Sequence, residues 1–238
     1  MQLLVSVRSV AEANLAGQLS VDLIDLKEPN SGSLGATSPK VWQAVACQWH
    51  QRTRVSLALG ELPEVVSVAN VPAEADSVKI GLAGCRRQPD WQSELSTLFD
   101  QLPNGVQRVA VYYADAHLAD SPSLEDVLDM ARQLECQTFL VDTYDKSAGA
   151  VFDHMSPMQL KKLRDRLHAD GLHFALAGSL RVKHLSSVAK IQPDIVAVRG
   201  AVCHRDRTGE IDAELLQSFR EQLRLAWKLD RQEVLSRS

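Results

Sequence analysis

Residues 21–27 read Val-Asp-Leu-Ile-Asp-Leu-Lys, an apolar run that ends in a carboxylate and an amine. Short runs of aliphatic residues that stop at polar ones are typical of buried β-strands. Asp25 and Lys27 are two positions apart, so their side chains lie on one face of the strand, with Cα atoms about 6 to 7 Å apart. We therefore predict a strand that ends in a neighbouring carboxylate and amine.

Runs of this kind recur along the whole chain, separated mostly by segments with apolar residues at helical spacing, such as Leu124, Val127 and Leu128. The runs are Leu3 to Val7, Val21 to Leu26, Val55 to Leu59, Ser77 to Leu82, Val106 to Tyr113, Thr138 to Thr143, His173 to Ala177, and Asp194 to Val198. Eight alternating strands and helices predict an α/β protein with a TIM (β/α)8 barrel. A doubly wound parallel sheet is the alternative.

The alternation is weakest in the third unit and at the C-terminus. Residues 61–75 include Pro63 and Pro72, which disfavour a helix, so we expect a short or irregular connection there. Residues 213–229 have the spacing of a closing helix, and residues 230–238 form a polar tail that is either frayed or helical. We expect a catalytic domain over residues 1–229, because no Pro-, Gly- or Ser-rich linker divides the 238 residues.

The composition narrows the classes of partner. The net charge is −4 and the pI is about 6.0, which argues against nucleic-acid binding. A small anionic ligand is compatible with this charge, because local charge can oppose net charge. The first residues do not resemble a signal peptide and no apolar run reaches transmembrane length, so we expect a cytoplasmic protein without a membrane partner. The cysteines form no CxxC pair, and we expect no metal site.

Three lysines stand at or just after the ends of predicted strands: Lys27, Lys79 and Lys146. In a TIM barrel the C-terminal strand ends carry the active site. A second lysine nearby lowers the pKa of the first by repulsion, which favours attack on a carbonyl and suggests Schiff-base chemistry. Asp25 and Asp142 would alternate with these cations. An ordinary ion pair remains the alternative for Lys27, and a solvated loop lysine the alternative for Lys146.

Two glycine-containing turns follow the seventh and eighth predicted strands. They are Ala177-Gly178-Ser179 and Val198-Arg199-Gly200-Ala201. TIM barrels commonly bind phosphate at these two positions through backbone amides. The turns therefore predict a phosphorylated substrate, with Arg199 as a candidate charge partner, although Gly200 could serve the turn geometry alone.

Several motifs together point to one family. They are Asp25-Leu26-Lys27-Glu28-Pro29-Asn30 with Gly32-Ser33-Leu34-Gly35-Ala36, then Lys79-Ile80-Gly81-Leu82, Tyr113-Ala114-Asp115-Ala116, Asp142-Thr143 with Lys146, Ala175-Leu176-Ala177-Gly178-Ser179, and Val198-Arg199-Gly200-Ala201. In this combination, over nearly its whole length, the chain resembles the (5-formylfuran-3-yl)methyl phosphate synthases.

The resemblance implies a single-domain barrel related to class I aldolases. Such an enzyme condenses two molecules of glyceraldehyde 3-phosphate, with loss of phosphate and water, to the phosphorylated formylfuran of methanofuran-type cofactors. The resemblance makes Lys27 the Schiff-base lysine and Lys79 the proton acceptor, with Asp25, Asp142 and Lys146 completing the site. It implies no cofactor and no metal, because the iminium serves as the electron sink.

Two other functions fit the same residues. One is a different lysine-dependent aldolase acting on another sugar phosphate, and the other is a non-catalytic barrel that binds a phosphorylated metabolite. We expect a homo-oligomer that takes a small phosphorylated aldehyde. The product is compatible with either an archaeal methanofuran or a bacterial methylofuran.

Overall fold

The computed structural model describes residues 1–65 and 67–235 and contains a closed barrel of eight parallel strands. The strands are β1 (Gln2–Val7), β2 (Leu23–Leu26), β3 (Arg54–Glu61), β4 (Ser77–Gly81), β5 (Gln107–Tyr113), β6 (Thr138–Asp142), β7 (His173–Leu176) and β8 (Ile195–Val198). Each strand pairs with the next along the chain, and β8 pairs with β1. The prediction of a TIM barrel is confirmed, and all eight predicted runs form its strands.

Helices surround the barrel. Those in the described part of the chain are α1 (Val10–Gln18), α2 (Pro39–Trp49), α3 (Trp91–Phe99), α4 (Ala116–Ala119), α5 (Leu124–Gln133), α6 (Val151–His154), α7 (Pro157–Ala169), α8 (Leu185–Ile191) and α9 (Ala213–Leu235). No described helix has the length and hydropathy needed to cross a membrane.

Local sequence signals explain where the best-defined helices begin. In α5, Ser123 and Asp126 cap each other's backbone amides, and in α7 Ser156 and Gln159 do the same ahead of Pro157. Such capping boxes satisfy amide groups that have no partner inside the helix. The apolar residues then recur on one face of each helix, which is buried against the barrel.

Two segments depart from the regular strand–helix alternation. Between β3 and β4 the described residues form only a short 3₁₀ helix, Leu62–Glu64, which confirms the expected irregular connection. The closing helix α9 runs to Leu235, through most of the polar tail, and residues 236–238 lie outside the described part. The division into a domain at 1–229 and a tail at 230–238 stays a prediction.

The barrel interior changes from apolar to polar toward the C-terminal strand ends. Leu4 on β1 lies opposite Leu23 on β2, and both are buried in an apolar layer. One inward position further, Ser6 lies opposite Asp25, which in turn lies opposite Ser56 on β3. Alternate residues of a strand face the same side, so the polar side chains all enter the same mouth of the barrel.

Outside the barrel, α1 packs closely against α2 at Gly17. A Cβ atom built on Gly17 would lie well inside van der Waals contact with the Trp49 ring. Trp49 is buried, and its Nε1 donates a hydrogen bond to Asn14 Oδ1 at 3.2 Å. Glycine is therefore required at position 17 by the indole that covers it.

We predict that Gly17→Ala destabilises the protein, although alanine normally favours a helix by about 1 kcal/mol over glycine. Overpacking against Trp49 should outweigh that gain, with a net loss of about 1 to 2 kcal/mol. Thermal unfolding would measure the change. In a Trp49→Leu background the same substitution should become neutral or stabilising, and an equal loss in both backgrounds would contradict the contact.

Candidate active site

A cavity of about 320 Å³ opens at the C-terminal ends of the strands. We call it the active-site cavity. Its lining includes the three lysines and two aspartates singled out in the sequence, namely Asp25, Lys27, Lys79, Asp142 and Lys146. It also includes Gly178, Ser179, Arg199 and Gly200 from the two glycine turns. Together with Ser6 of β1, these residues come from six strands or strand-following loops that meet at one mouth.

The first carboxylate of the cavity, Asp25, is paired with Lys79. Lys79 Nζ donates to Asp25 Oδ1 and, at 2.9 Å, to Ser56 Oγ, while Ser6 Oγ donates to Asp25 Oδ2 at 2.9 Å. Asp25 and Lys79 are both buried. The sequence placed Asp25 beside Lys27; instead, Lys79 reaches it from β4 across the barrel interior.

The second carboxylate, Asp142, lies between two amines. Lys146 Nζ donates to Asp142 Oδ1 at 2.6 Å, to Thr143 Oγ1 at 3.2 Å and to the Thr143 carbonyl oxygen. Lys27 Nζ lies 3.7 Å from Asp142 Oδ2, which is beyond hydrogen-bond distance. Lys27 is nevertheless buried, with 8% of its surface exposed. Among the described residues, Lys27 Nζ has no hydrogen-bond acceptor.

The surroundings shift the pKa of three of these groups. Burial lowers the pKa of Lys79, against the opposing effect of Asp25, and Lys27 lowers it further. Burial likewise lowers the pKa of Lys146 to about 8, with Lys27 adding to the effect. For Asp142, burial by itself would raise the pKa, but Lys146 and Lys27 bring it down to about 2. The site therefore holds an ionised Asp142, and Lys79 and Lys146 lose a proton more readily than an ordinary lysine does.

Buried contacts hold the loop that carries Lys146. Asp115 accepts hydrogen bonds from the backbone amides of Tyr144 at 2.7 Å and Asp145 at 2.8 Å. Ser33 Oγ donates to the Thr143 carbonyl oxygen at 2.8 Å. Because that carbonyl also accepts from Lys146, the β2 loop and the β6 loop position the amine together.

The turn after β7 contains two consecutive residues with positive φ. Gly178 and Ser179 have φ values of 91° and 52°, in the left-handed region. A Cβ on Gly178 would lie 2.8 Å from Val151 Cβ, so glycine is required there both by conformation and by space. Ala201, after β8, packs against the hydrophobic core instead of lining the cavity. The assignment of Ala201 to the phosphate-binding turn stays a prediction.

The Arg199 side chain is occupied by the protein itself. Its Nη1 and Nη2 donate to the two carboxylate oxygens of Glu12 at 2.8 and 3.2 Å. The remaining N–H groups donate to the carbonyl oxygens of Ser6, Arg207 and Gly209. All five guanidinium donors are thus used. Arg199 anchors the loop after β8, and its role as the charge partner of a substrate phosphate stays a prediction.

Two other arginines, which the sequence did not single out, line the cavity. Arg181 follows the β7 turn and donates to the Gly200 carbonyl oxygen. Arg207 lies on the loop anchored by Arg199 and donates through Nη2 to the Gly32 carbonyl oxygen at 2.8 Å. Both lie in irregular loops with no periodic pattern or motif, and only the position of Arg181, just after the predicted phosphate turn, could have drawn attention.

Comparison with known sequences places the chain in a family. The 4-HFC-P synthase family profile matches residues 3–220. The chain belongs to the 4-HFC-P synthase family. The (5-formylfuran-3-yl)methyl phosphate synthase of Methanococcus maripaludis strain C7 is 34% identical over 230 residues, which covers 92% of this chain and 98% of that protein. The same-named protein of Methanocaldococcus jannaschii is 34% identical over 232 residues, with coverages of 93% and 99%.

Membership in this synthase family confirms the resemblance seen in the sequence and makes the chain an enzyme. The fold is shared more widely. The 3-hexulose-6-phosphate synthase of Salmonella typhimurium superposes with a TM-score of 0.62 at 15% identity, covering 94% of this chain and all of that one, 100%. At that identity the similarity supports the TIM barrel alone.

The buried Arg199–Glu12 pair generates a stability prediction. Glu12→Gln leaves the Arg199 charge buried without its counter-ion, and we expect a loss of about 3 to 5 kcal/mol in the free energy of unfolding. Denaturant unfolding would measure it. Replacing both residues, as in Glu12→Leu with Arg199→Leu, should recover part of the loss. A cost below about 1 kcal/mol for Glu12→Gln would be typical of an exposed pair and would contradict the assignment.

Asp142 generates a pH prediction. Its pKa falls from 3.8 to about 2 on folding, so its carboxylate contributes stability that is complete above about pH 4 and is lost as the pH falls toward 2. Asp142→Asn lacks this contribution. The difference in unfolding free energy between the wild type and Asp142→Asn should therefore shrink by about 2 kcal/mol on acidification. A difference that stays constant down to about pH 3 would show that Asp142 has an ordinary pKa.

Proposed function

We propose that this enzyme is a (5-formylfuran-3-yl)methyl phosphate synthase that condenses two molecules of glyceraldehyde 3-phosphate through a Schiff base on Lys27. Family membership supports the overall reaction. The clustering of three lysines and two aspartates in one cavity supports the lysine chemistry. In this proposal the product supplies the furan of a methanofuran-type cofactor.

The free state of Lys27 Nζ is the observation that carries the proposal. Lys79 donates to Asp25 and Ser56, and Lys146 donates to Asp142 and Thr143. Lys27 makes no such bond within the described residues and lies in the same cavity. An amine must present its lone pair to a carbonyl carbon in order to form an iminium. Of the three lysines, Lys27 has the fewest hydrogen bonds to lose when its amine attacks a carbonyl carbon.

The product's structure determines which carbons are joined. In (5-formylfuran-3-yl)methyl phosphate, one ring carbon bears the formyl group and another bears the phosphorylated methylene. One triose therefore supplies the formyl group and keeps no phosphate, and the other keeps its phosphate. The new carbon–carbon bond links C3 of the first triose to C2 of the second.

The first half of the reaction releases phosphate. Lys27 attacks the aldehyde of the first triose and water leaves, giving an iminium. Lys79, whose pKa is lowered by burial, removes the proton from C2, and the electron pair then expels the phosphate from C3. The result is an unsaturated iminium with an electrophilic C3, and Asp142 beside Lys27 balances the positive charge.

The second half builds the ring. Loss of a proton from C2 of the second triose, next to its aldehyde, gives a nucleophile that adds to C3 of the first. The C2 oxygen of the first triose then closes on the second aldehyde to give a cyclic hemiacetal. Loss of two water molecules, which remove the C1 and C2 hydroxyl groups of the second triose, gives the furan, and hydrolysis of the imine frees Lys27. Asp25, Asp142 and Lys146 are the groups in the cavity that can hold or move these protons.

The leaving phosphate is assigned to the turns after β7 and β8. Gly178, Ser179 and Gly200 line the cavity there, and Arg181 supplies the charge. The proposal also retains a cytoplasmic location and a homo-oligomeric state. Gel filtration with light scattering would test the latter.

The test is reduction of the enzyme with borohydride in the presence of glyceraldehyde 3-phosphate. We expect one covalent adduct on Lys27, found by peptide mass spectrometry, together with phosphate release and a new ultraviolet-absorbing furan in the unreduced reaction. Lys27→Ala should lose both the adduct and the product. An unmodified Lys27 in an enzyme that makes the furan would refute the Schiff-base assignment.

Lys79→Gln tests the proton-transfer step separately, because glutamine keeps a hydrogen-bond donor for Asp25 but cannot accept the C2 proton. If Lys79 removes the C2 proton, this variant should still form the Lys27 adduct while furan formation falls by about 100-fold or more. Loss of the adduct would instead make Lys79 part of the carbonyl-attack step. A different phosphorylated product would favour another aldolase reaction, and a wild type that binds the triose phosphate without any turnover would favour a binding protein.

A further inference from the structure

The proposed reaction requires a second triose phosphate to bind beside the first triose while the first is held on Lys27. The turns after β7 and β8 offer one position, and a second must lie close enough for C2 of one triose to reach C3 of the other. Next to the active-site cavity is an open pocket of about 450 Å³, which we call the side pocket. It lies between Gly32 and Tyr144 and shares Lys146, Ser147 and Arg207 with the active-site cavity.

Of the two cationic side chains shared by the cavities, Lys146 is already occupied. Its three N–H groups are directed at Asp142 Oδ1, Thr143 Oγ1 and the Thr143 carbonyl oxygen. Asp145, the carboxylate that lines the side pocket, is occupied as well, because its Oδ1 accepts from both the amide and the hydroxyl of Ser147. Neither group is therefore arranged to bind a second substrate.

Arg207 is arranged differently. Within residues 1–65 and 67–235, its only side-chain hydrogen bond is the one from Nη2 to the Gly32 carbonyl oxygen, and the other guanidinium donors remain available. The side chain is half-buried, and burial lowers its pKa while Asp142 opposes that effect. An incompletely bonded guanidinium in such a position is suited to bidentate binding of phosphate.

Several hydrogen bonds hold the backbone of the loop that carries Arg207. Arg199 Nε donates to the Arg207 carbonyl oxygen at 2.6 Å, and Arg8 Nη1 donates to the Thr208 carbonyl oxygen at 3.0 Å. Asp206 Oδ1 accepts from the amide and hydroxyl of Thr208. A loop held at three points keeps the guanidinium at the boundary of the two cavities, which reduces the cost of ordering it on binding.

We propose that Arg207 binds the phosphate of the second triose, the one retained in the product, in the side pocket, an inference that rests on the proposed condensation. The first triose is bound to Lys27 with its phosphate at the Arg181 side of the active-site cavity. The two phosphates thus lie on different sides of Lys27, and the shared boundary brings C2 of the second triose toward C3 of the first. Arg207 is accordingly a substrate-binding residue for the second half of the reaction alone.

The test compares Arg207→Gln with Arg207→Lys and with the control Arg205→Gln, which changes an exposed arginine of the same loop. Two readouts are measured against glyceraldehyde 3-phosphate concentration: borohydride trapping on Lys27, which reports the first molecule, and furan formation, which needs both. Arg207→Gln should raise the KM for furan formation by about 10- to 100-fold while trapping is unchanged. The KM of Arg207→Lys should lie between those of the wild type and Arg207→Gln, and the KM of Arg205→Gln should equal that of the wild type.

Two outcomes would overturn the inference. Trapping and furan formation that weaken in parallel would place Arg207 at the first triose, and an Arg207→Gln enzyme with wild-type furan kinetics would remove it from binding altogether. A matching melting temperature for the variants establishes that folding is not the cause. A wild type that forms no furan would refute the proposed function. An active wild type with an equally active Arg207→Gln variant would refute only the role of Arg207.

Discussion

Two buried carboxylates, Asp25 and Asp142, have to balance three lysines at the mouth of the barrel. Each ion taken out of water costs several kcal/mol unless it is paired and hydrogen-bonded. Lys79 pairs with Asp25, and Lys146 pairs with Asp142. The nearest carboxylate oxygen to Lys27 Nζ is then Asp142 Oδ2, at 3.7 Å. The site is therefore short of negative charge by construction. Burial lowers the pKa values of Lys79 and Lys146, and the nearby Lys27 adds to the effect. The shortage of carboxylates leaves Lys27 without a hydrogen-bonded partner.

The same principle has a different use at the rim of the barrel. Arg199 and Glu12 form a buried pair in which every guanidinium donor is satisfied. Such a pair has no hydrogen-bond donor left for a ligand. Its role is to hold the loop after β8, because Arg199 also donates to the carbonyl oxygen of Arg207. The Arg199–Glu12 pair thus builds the framework, whereas the incompletely paired Lys27 and Arg207 keep donors available to a substrate. The number of hydrogen bonds distinguishes fully paired from incompletely paired charges better than burial does, because residues of both kinds are buried or half-buried.

Much of this arrangement could be predicted from the sequence, because strand ends in a parallel barrel converge whatever the details of packing. The eight strands and the placement of Asp25, Lys27 and Asp142 near one mouth depended only on apolar runs and their polar ends. The pairing of these residues did not follow. Spacing along β2 suggested Asp25 with Lys27, but a lysine side chain is long enough to cross the barrel, and Lys79 reaches Asp25 from β4, with β3 between the two strands.

The sequence by itself determined the fold, the family and the three lysines and two aspartates of the cavity, because all of these depend on periodic patterns and short motifs within strands and their ends. Only the tertiary structure decided which lysine remains without a hydrogen bond, that Arg199 is consumed by Glu12, and that Arg207 stands between two cavities. These depend on contacts between segments far apart in the chain, such as Arg199 with Glu12 and Arg207 with Gly32. Whether a charged group is free or occupied is a property of its partners, and no local pattern encodes those partners.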